Sequence, residues 1–185
     1  MLRTALRGQL LNSADSSLVS RLTQQMVKVI QADLVDARGF RNVIEGEAEL
    51  LLGFDFNIRG KLGTSLYAPY TTSIDRVAGE LIVDVPSFVP LNMVSAPSGT
   101  SHYKIISAGA EINFEEETFV VQASETAILP WDNTPSDPVN QVNHLTAASV
   151  SPLFLALGIK FYQLADHLKI YKAKCDMLSD TVRYY

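Results

Sequence analysis

Two hydrophobic periods divide the chain. Up to about Leu52 apolar residues recur at helical spacing: Leu2, Leu6 and Leu10 first, then Leu18, Leu22, Met26, Val29 and Ile30 after the polar cluster Ser13-Ala14-Asp15-Ser16-Ser17. Apolar positions three and four apart lie on one face of a helix. The pattern predicts a short first helix and a longer second one from about Ser17 to Ala37. Asp15 or Ser16 can accept hydrogen bonds from the free amides of its first turn, and Gly39 can take the left-handed conformation that ends it. Arg41 to Leu52 reads as a further short helix, with Gly46 as its weak point.

Beyond Gly53 the period drops to two. Phe54-Asp55-Phe56-Asn57-Ile58 alternates as a half-buried strand must. Further strands are predicted at Tyr70 to Ile74, Glu80 to Val85, His102 to Ser107, Ala110 to Phe114 and Thr118 to Ala123. Asp75 to Gly79 serves as a hairpin loop, and Glu115-Glu116-Glu117 as an exposed turn. Leu153 to Phe161 is apolar throughout and predicts a strand buried on both faces. Ile128 to Ser151 is the least regular stretch. Pro130, Pro135 and Pro138 fall within it, and proline removes a ladder donor, so it reads as a long ordered loop or edge excursion.

No helical segment interrupts the strands between Phe54 and Gln163, so their connections should be antiparallel. The expected fold is mainly β with a helical N-terminal region: an antiparallel β-sandwich, immunoglobulin- or fibronectin-like or related. Residues 1–52 form a helical arm, 53–163 the sandwich, and 164–185 a tail. Leu164, Leu168, Tyr171, Cys175, Leu178 and Val182 give that tail a helical stripe, although His167 to Ala173 also alternates as a strand would.

Composition narrows the function. Hydrophobic residues make up 47% and charged residues 19% of 185 positions, a balance that folds rather than one that stays disordered. The net charge of −5 offers no general attraction to phosphate backbones or anionic membranes, which argues against nucleic acid. The acidity sits between Lys61 and Gln163, a solvated face that favours solubility. Cys175 is the single cysteine, which precludes an internal disulfide and a cysteine-based metal site. No apolar run reaches membrane-spanning length, and the first residues lack the apolar core of a signal peptide. A cytoplasmic protein is the expectation for the sequence as written.

Chemistry-bearing patterns are sparse. His102, His144 and His167 come from a strand, a loop and the tail, with no metal-binding spacing between them. No Gly-x-Ser-x-Gly elbow occurs, and the glycines fall singly, so no phosphate loop is formed. Glu115-Glu116-Glu117 lacks the interleaved spacing of a calcium loop. The reading is therefore no enzyme, no cofactor and no metal. Trp131 is the exception, set among Asp132, Asn133 and Thr134 on the proline-stiffened loop. It either plugs the end of the two layers or joins Tyr67 and Tyr70 on a rim that contacts a sugar or a protein.

The wording of Ser87-Phe88-Val89-Pro90, Ser98 to Ile105, Ser107-Ala108-Gly109-Ala110 and Pro152 to Ile159 resembles a family of small uncharacterised β-rich proteins from Bacteroidota-type bacteria. The likeness runs from about Leu2 to Gln163, and Met26 to Ala32 and Gly53 to Asn57 share in it. It implies no activity or catalytic residues, and both ends of this chain depart from the family's pattern. The expected function is a non-enzymatic structural or protein-interaction module. It would self-associate through the arm, whose assembly face is Leu18, Leu22, Met26 and Ile30. The alternative is a carbohydrate-binding β-domain that uses Trp131, Tyr67 and Tyr70.

Overall fold

Ten residues of β3 lie against ten of β7 in one antiparallel register, from His102 opposite Tyr162 to Glu111 opposite Leu153. Everything else is arranged around that pair. The computed structural model describes residues 1–10, 15–32, 48–165 and 169–172. In chain order these form α1 (Leu2–Ala5), α2 (Arg7–Leu10), α3 (Leu18–Gln31), a 3-10 turn (Ala48–Leu51), α4 (Leu62–Ser65), β1 (Thr71–Asp75), β2 (Glu80–Val85) and α5 (Pro90–Met93). There follow β3 (His102–Asn113), β4 (Thr118–Glu125), β5 (Leu129–Pro130), β6 (Val139–His144), β7 (Leu153–Ala165) and β8 (Lys169–Lys172). One sheet has the order β1-β2-β6; the other has the order β4-β3-β7-β8, with β5 pairing β3 past the end of β4. All the pairings are antiparallel.

Side chains alternate across β3 and β7, and each face of the pair has its own core. Tyr103, Ile105, Leu153, Leu155, Leu157, Ile159 and Phe161 face the smaller sheet and meet Leu81, Val83 and Val85 of β2. On the opposite face Ala108, Ala110, Ile112, Phe154 and Ala156 receive Leu2, Leu6, Leu18, Leu22, Val29, Leu51 and Phe56. Small residues dominate that second face, so the helices can lie close to the sheet. Where the helices stop covering it the residues turn polar: Lys104 sits opposite Lys160, and His102 opposite Tyr162. The Lys104 ammonium is 2.6 Å from Glu125 Oε1, which offsets the repulsion of two facing cations.

A clamp fixes the helices to the next segment. The Asp15 carboxylate accepts hydrogen bonds from the Ser17 amide and hydroxyl, and from the Ile58 amide at 2.8 Å. It is also ion-paired to Arg21 at 2.6 Å. The Arg21 guanidinium continues to the carbonyls of Asp55 (2.6 Å) and Phe56 (3.2 Å) and lies over the Phe54 ring. Burial pushes the Asp15 carboxyl up, but the hydrogen bonds from Ile58, Ser17 and Arg21 outweigh it and hold the pKa at about 2.

Several sequence expectations are corrected. Phe54 to Ile58 is not a strand: its carbonyls are taken by Arg21 rather than by a ladder, and Phe54 and Phe56 pack edge to face at 5.4 Å. The two strands expected at His102–Ser107 and Ala110–Phe114 are one, His102–Asn113, because cover on both faces carries it through Gly109. Two one-turn helices, α4 and α5, lie within the region expected to hold strands alone. The second helix ends at Gln31, and residues 33–37 lie outside those described. Of Arg41 to Leu52 only the single 3-10 turn is described. The expected tail helix is a strand where it is described: Leu164 and Ala165 end β7 and pair with Ile170 and Lys169 of β8. Residues 173–185, including Cys175, lie outside the described part.

β6, an edge strand of the smaller sheet, falls in the stretch expected to be a long ordered loop or edge excursion. Its inward positions are Gln141 and Asn143, both buried. Gln141 Nε2 donates to Ile105 O at 3.0 Å, and Asn143 Nδ2 to Ser107 Oγ at 2.9 Å. A polar layer therefore crosses between the sheets. Gly109 makes room for it, since a Cβ there would stand 3.0 Å from the Asn143 Cβ.

The β1–β2 turn closes against the loop after β6. Gly79 has a φ of 73°, and a Cβ on it would lie 2.7 Å from the Leu145 carbonyl and 2.9 Å from the Ala147 amide. Gly79→Ala should cost roughly 1–3 kcal/mol, read by chemical denaturation. Asp15→Asn should cost on the order of 1–2 kcal/mol near neutral pH, a pKa depression worth about 1.4 kcal/mol per unit with allowance for solvent screening. The native pKa lies below the unfolded one, so this stabilisation is present above pH 3.8 and is lost as pH falls towards about 2. Unfolding curves of the two proteins should converge across that window.

Candidate functional site

The proline-rich loop after β5 is sewn to its surroundings by backbone amides. Proline leaves a segment fewer donors, so each remaining one has to be matched. The Trp131 amide donates to Ser101 O at 2.9 Å and the Ser136 amide to Phe88 O at 2.8 Å, while Asp132 O accepts from the Leu91 amide at 3.0 Å. The Ser87 hydroxyl adds a bond to Ser136 O at 2.6 Å. This holds Trp131 over one end of the space between the sheets.

Trp131 is half-buried, packs on the core between the sheets and donates its indole N–H to Val94 O at 3.1 Å. One ring edge is thus fixed, and the residue closes the end of the layers. Val94 also forms an isolated bridge with Leu66, and the Tyr67 amide donates to Met93 O at 2.7 Å. Trp131 and Tyr67 therefore attach to consecutive carbonyls. The side chain of Tyr67 is 56% exposed, with Leu91 at 43% and Met93 at 38%. Tyr70 is half-buried against the core rather than presented on the rim. Of the three aromatic residues singled out in the sequence, the fold brings Trp131 and Tyr67 to one rim and assigns Trp131 an anchoring role. Leu91 and Met93, which carry no aromatic signal in the sequence, complete it.

Beneath the rim, Tyr103 is fully buried and stacks at a tilt on Phe88, 6.3 Å between ring centroids. Burial pushes its phenol up to about 12, opposed by the Ser136 hydroxyl and reinforced by Asp132.

The expected assembly face is not presented to solvent. Leu18 and Leu22 are buried, and Met26 and Ile30 pack against the chain's own helix-side core. An amphipathic stripe long enough to cover a neighbour covers its own sheet instead.

His102 Nδ1 lies 2.9 Å from Ser101 Oγ, and His144 is an exposed neighbour of Glu80 at 3.5 Å. His167 lies outside the described residues. Among those described, no three His, Cys, Asp or Glu residues converge as a metal site would require. The Glu115–Glu117 triplet is an exposed turn, with the Asn113 carboxamide oxygen accepting the amides of Glu115 and Glu116. A crevice of about 290 Å³ opens between the end of β4 and the start of β6, lined by Glu125, Thr126, Leu129, Asp137, Asn140 and Gln141. Among the described residues no helix is long and apolar enough to cross a membrane.

No family model matches the chain, and no curated protein or solved structure is significantly similar to it.

Trp131→Phe keeps most of the packing but leaves Val94 O without its indole donor, and should cost about 1 kcal/mol. Tyr67→Ala, at an exposed position, should stay within about 0.5 kcal/mol. Urea titration of both variants measures the difference between an anchor and a presented side chain.

Proposed function

We propose that this chain is a non-enzymatic protein-interaction module that engages its partner through the Tyr67, Leu91 and Met93 rim. The observation that carries this reading is three large apolar side chains, each more than a third exposed, at one end of the two sheets, on backbone tied together by Trp131 and the Leu66–Val94 bridge. Apolar and aromatic side chains on a rigid support lose little freedom on binding, which is what interface anchors require. The arm's contribution is structural, since its stripe is occupied within the chain.

The strand order supports a sandwich reading of the architecture. Taking β1, β2 and β6 as A, B and E, and β4, β3, β7 and β8 as C′, C, F and G, the strand order is compatible with an immunoglobulin- or fibronectin-type sandwich, which supports that reading. Loops gather at the ends of such a fold, and the rim lies at one of them.

A second reading, carbohydrate binding, is favoured by one feature: the exposed Tyr67 ring shares its rim with the exposed polar residues Asp132 and Asn133. Rings of this kind stack on sugars. Two measurements separate the readings. In affinity capture from cells that express the protein, a Tyr67→Ser/Met93→Ser double variant should lose partners that a Val77→Ser control at the opposite end retains; equal capture by both would overturn the protein reading. A change in Trp131 emission on titration with a glycan, abolished by Tyr67→Ala, would move the rim to carbohydrate.

A further inference from the structure

We infer that β4 is a self-pairing edge, through which two copies of this chain join antiparallel about a two-fold axis at Gln122. Among the described residues the larger sheet ends at β4, with no strand beyond it. The direction of its peptide groups follows from two bonds. The Thr126 amide donates to Ile105 O on one side of β3, and the Ile112 amide to Pro152 O on the other. Hydrogen-bonded pairs alternate along an antiparallel ladder. Thr118, Val120, Gln122 and Ser124 therefore direct their peptide groups towards β3, and Phe119, Val121, Ala123 and Glu125 direct theirs away from the sheet.

An outward row of this kind is normally guarded by lysine, proline or a bulge. Thr118 to Ser124 contains no charge and no proline, and its pairing with β3 runs without a break from Asn113–Thr118 to Ile106–Glu125. Phe119 is 43% and Val120 46% exposed. Among the described residues the edge thus combines donors and acceptors that no strand takes up with apolar side chains.

A second copy of this strand satisfies both register and charge, and we take it as the occupant. Outward groups must meet outward groups, so allowed two-fold registers differ by steps of one residue in the position of the axis. With Gln122 facing itself, Val121 lies opposite Ala123 and Phe119 opposite Glu125, and the strand overlaps almost end to end. With Val121 facing itself, Glu117 would stand opposite Glu125, a like-charge pair. With Ala123 facing itself, Phe119 would run past the end of the partner strand to Ala127, and the paired length shrinks. In the Gln122 register Glu125 faces no carboxylate, and Lys104 at 2.6 Å already offsets its charge. Phe119 and Val121 remain on the face that carries the helices, so pairing extends that face across the axis.

The net charge of each chain opposes association at long range, so added salt should strengthen the dimer. Sedimentation velocity of the full chain from micromolar to several hundred micromolar should show a monomer–dimer equilibrium. Gln122→Glu and Gln122→Lys each place like charges opposite one another and should weaken it by about fivefold, and mixing the two variants should restore it. A facing non-hydrogen-bonded pair has Cα atoms about 4.5 Å apart, within disulfide reach. Gln122→Cys in a Cys175→Ser background should therefore cross-link on oxidation, while Thr118→Cys in that background, facing Thr126, should not. The Tyr67→Ser/Met93→Ser rim variant should dimerise as the parent does. A monomer at every concentration overturns the inference, as does a dimer indifferent to Gln122 charge and not cross-linked at 122. Either result leaves the rim reading intact.

Discussion

The pairing of β3 with β7 is the constraint from which the rest of the molecule follows. A strand pair covered on one face can be half polar, and in most antiparallel sheets it is. Here the smaller sheet covers one face and the N-terminal helices cover the other. Where both covers are present the strands must be apolar on both faces, as β7 is from Leu153 to Ile159, and where the helices stop the pair turns polar at Lys104 and Lys160. The division of labour between faces is visible in side-chain size. The face towards the smaller sheet carries leucine, isoleucine, tyrosine and phenylalanine, which fill the wider space between sheets. The face towards the helices carries alanine at three of its five positions, which lets them settle close to the backbone.

The apolar pattern made some elements legible and concealed others, and the reason is the same in each case. β2 and β7 are legible because their burial follows their hydrophobicity, and β1 and β4 because polar and β-branched or aromatic residues run between clear turns. β6 is not, because the residues it turns inwards are Gln141 and Asn143. Each donates a hydrogen bond across the interior that no pattern of apolar residues announces. Phe54 to Ile58 fails in the opposite sense. It alternates as a strand should, but a guanidinium some thirty residues earlier takes its carbonyls, and a long-range polar partner has no local signature. The tail carried both periods, and the ladder with Leu164 and Ala165 settled it as strand where it is described.

The rim shows the same limit on the functional side. Trp131 stood out because of its residue type and its loop, yet its indole is used internally, while Leu91 and Met93 come to the surface through α5, a single turn with no periodicity to detect. Residue identity located the neighbourhood, and only the hydrogen bonds to Met93 and Val94 define which side chains face outwards. The arm is the converse. Its apolar, amphipathic stripe is plain in the sequence, but a stripe carries no record of whether its cover belongs to the same chain.

The shared middle layer also sets an order of events during synthesis. The helices leave the ribosome before the strands, but the surface they cover is built from β3 and β7, and β7 is made long after them. Short helices are marginal in water until something buries their apolar side, and closing a contact over a long stretch of chain is slow compared with forming a turn. The helices therefore wait, their leucines unprotected, for a strand made much later, and the nascent chain is the state in which that apolar stripe lies most open to water.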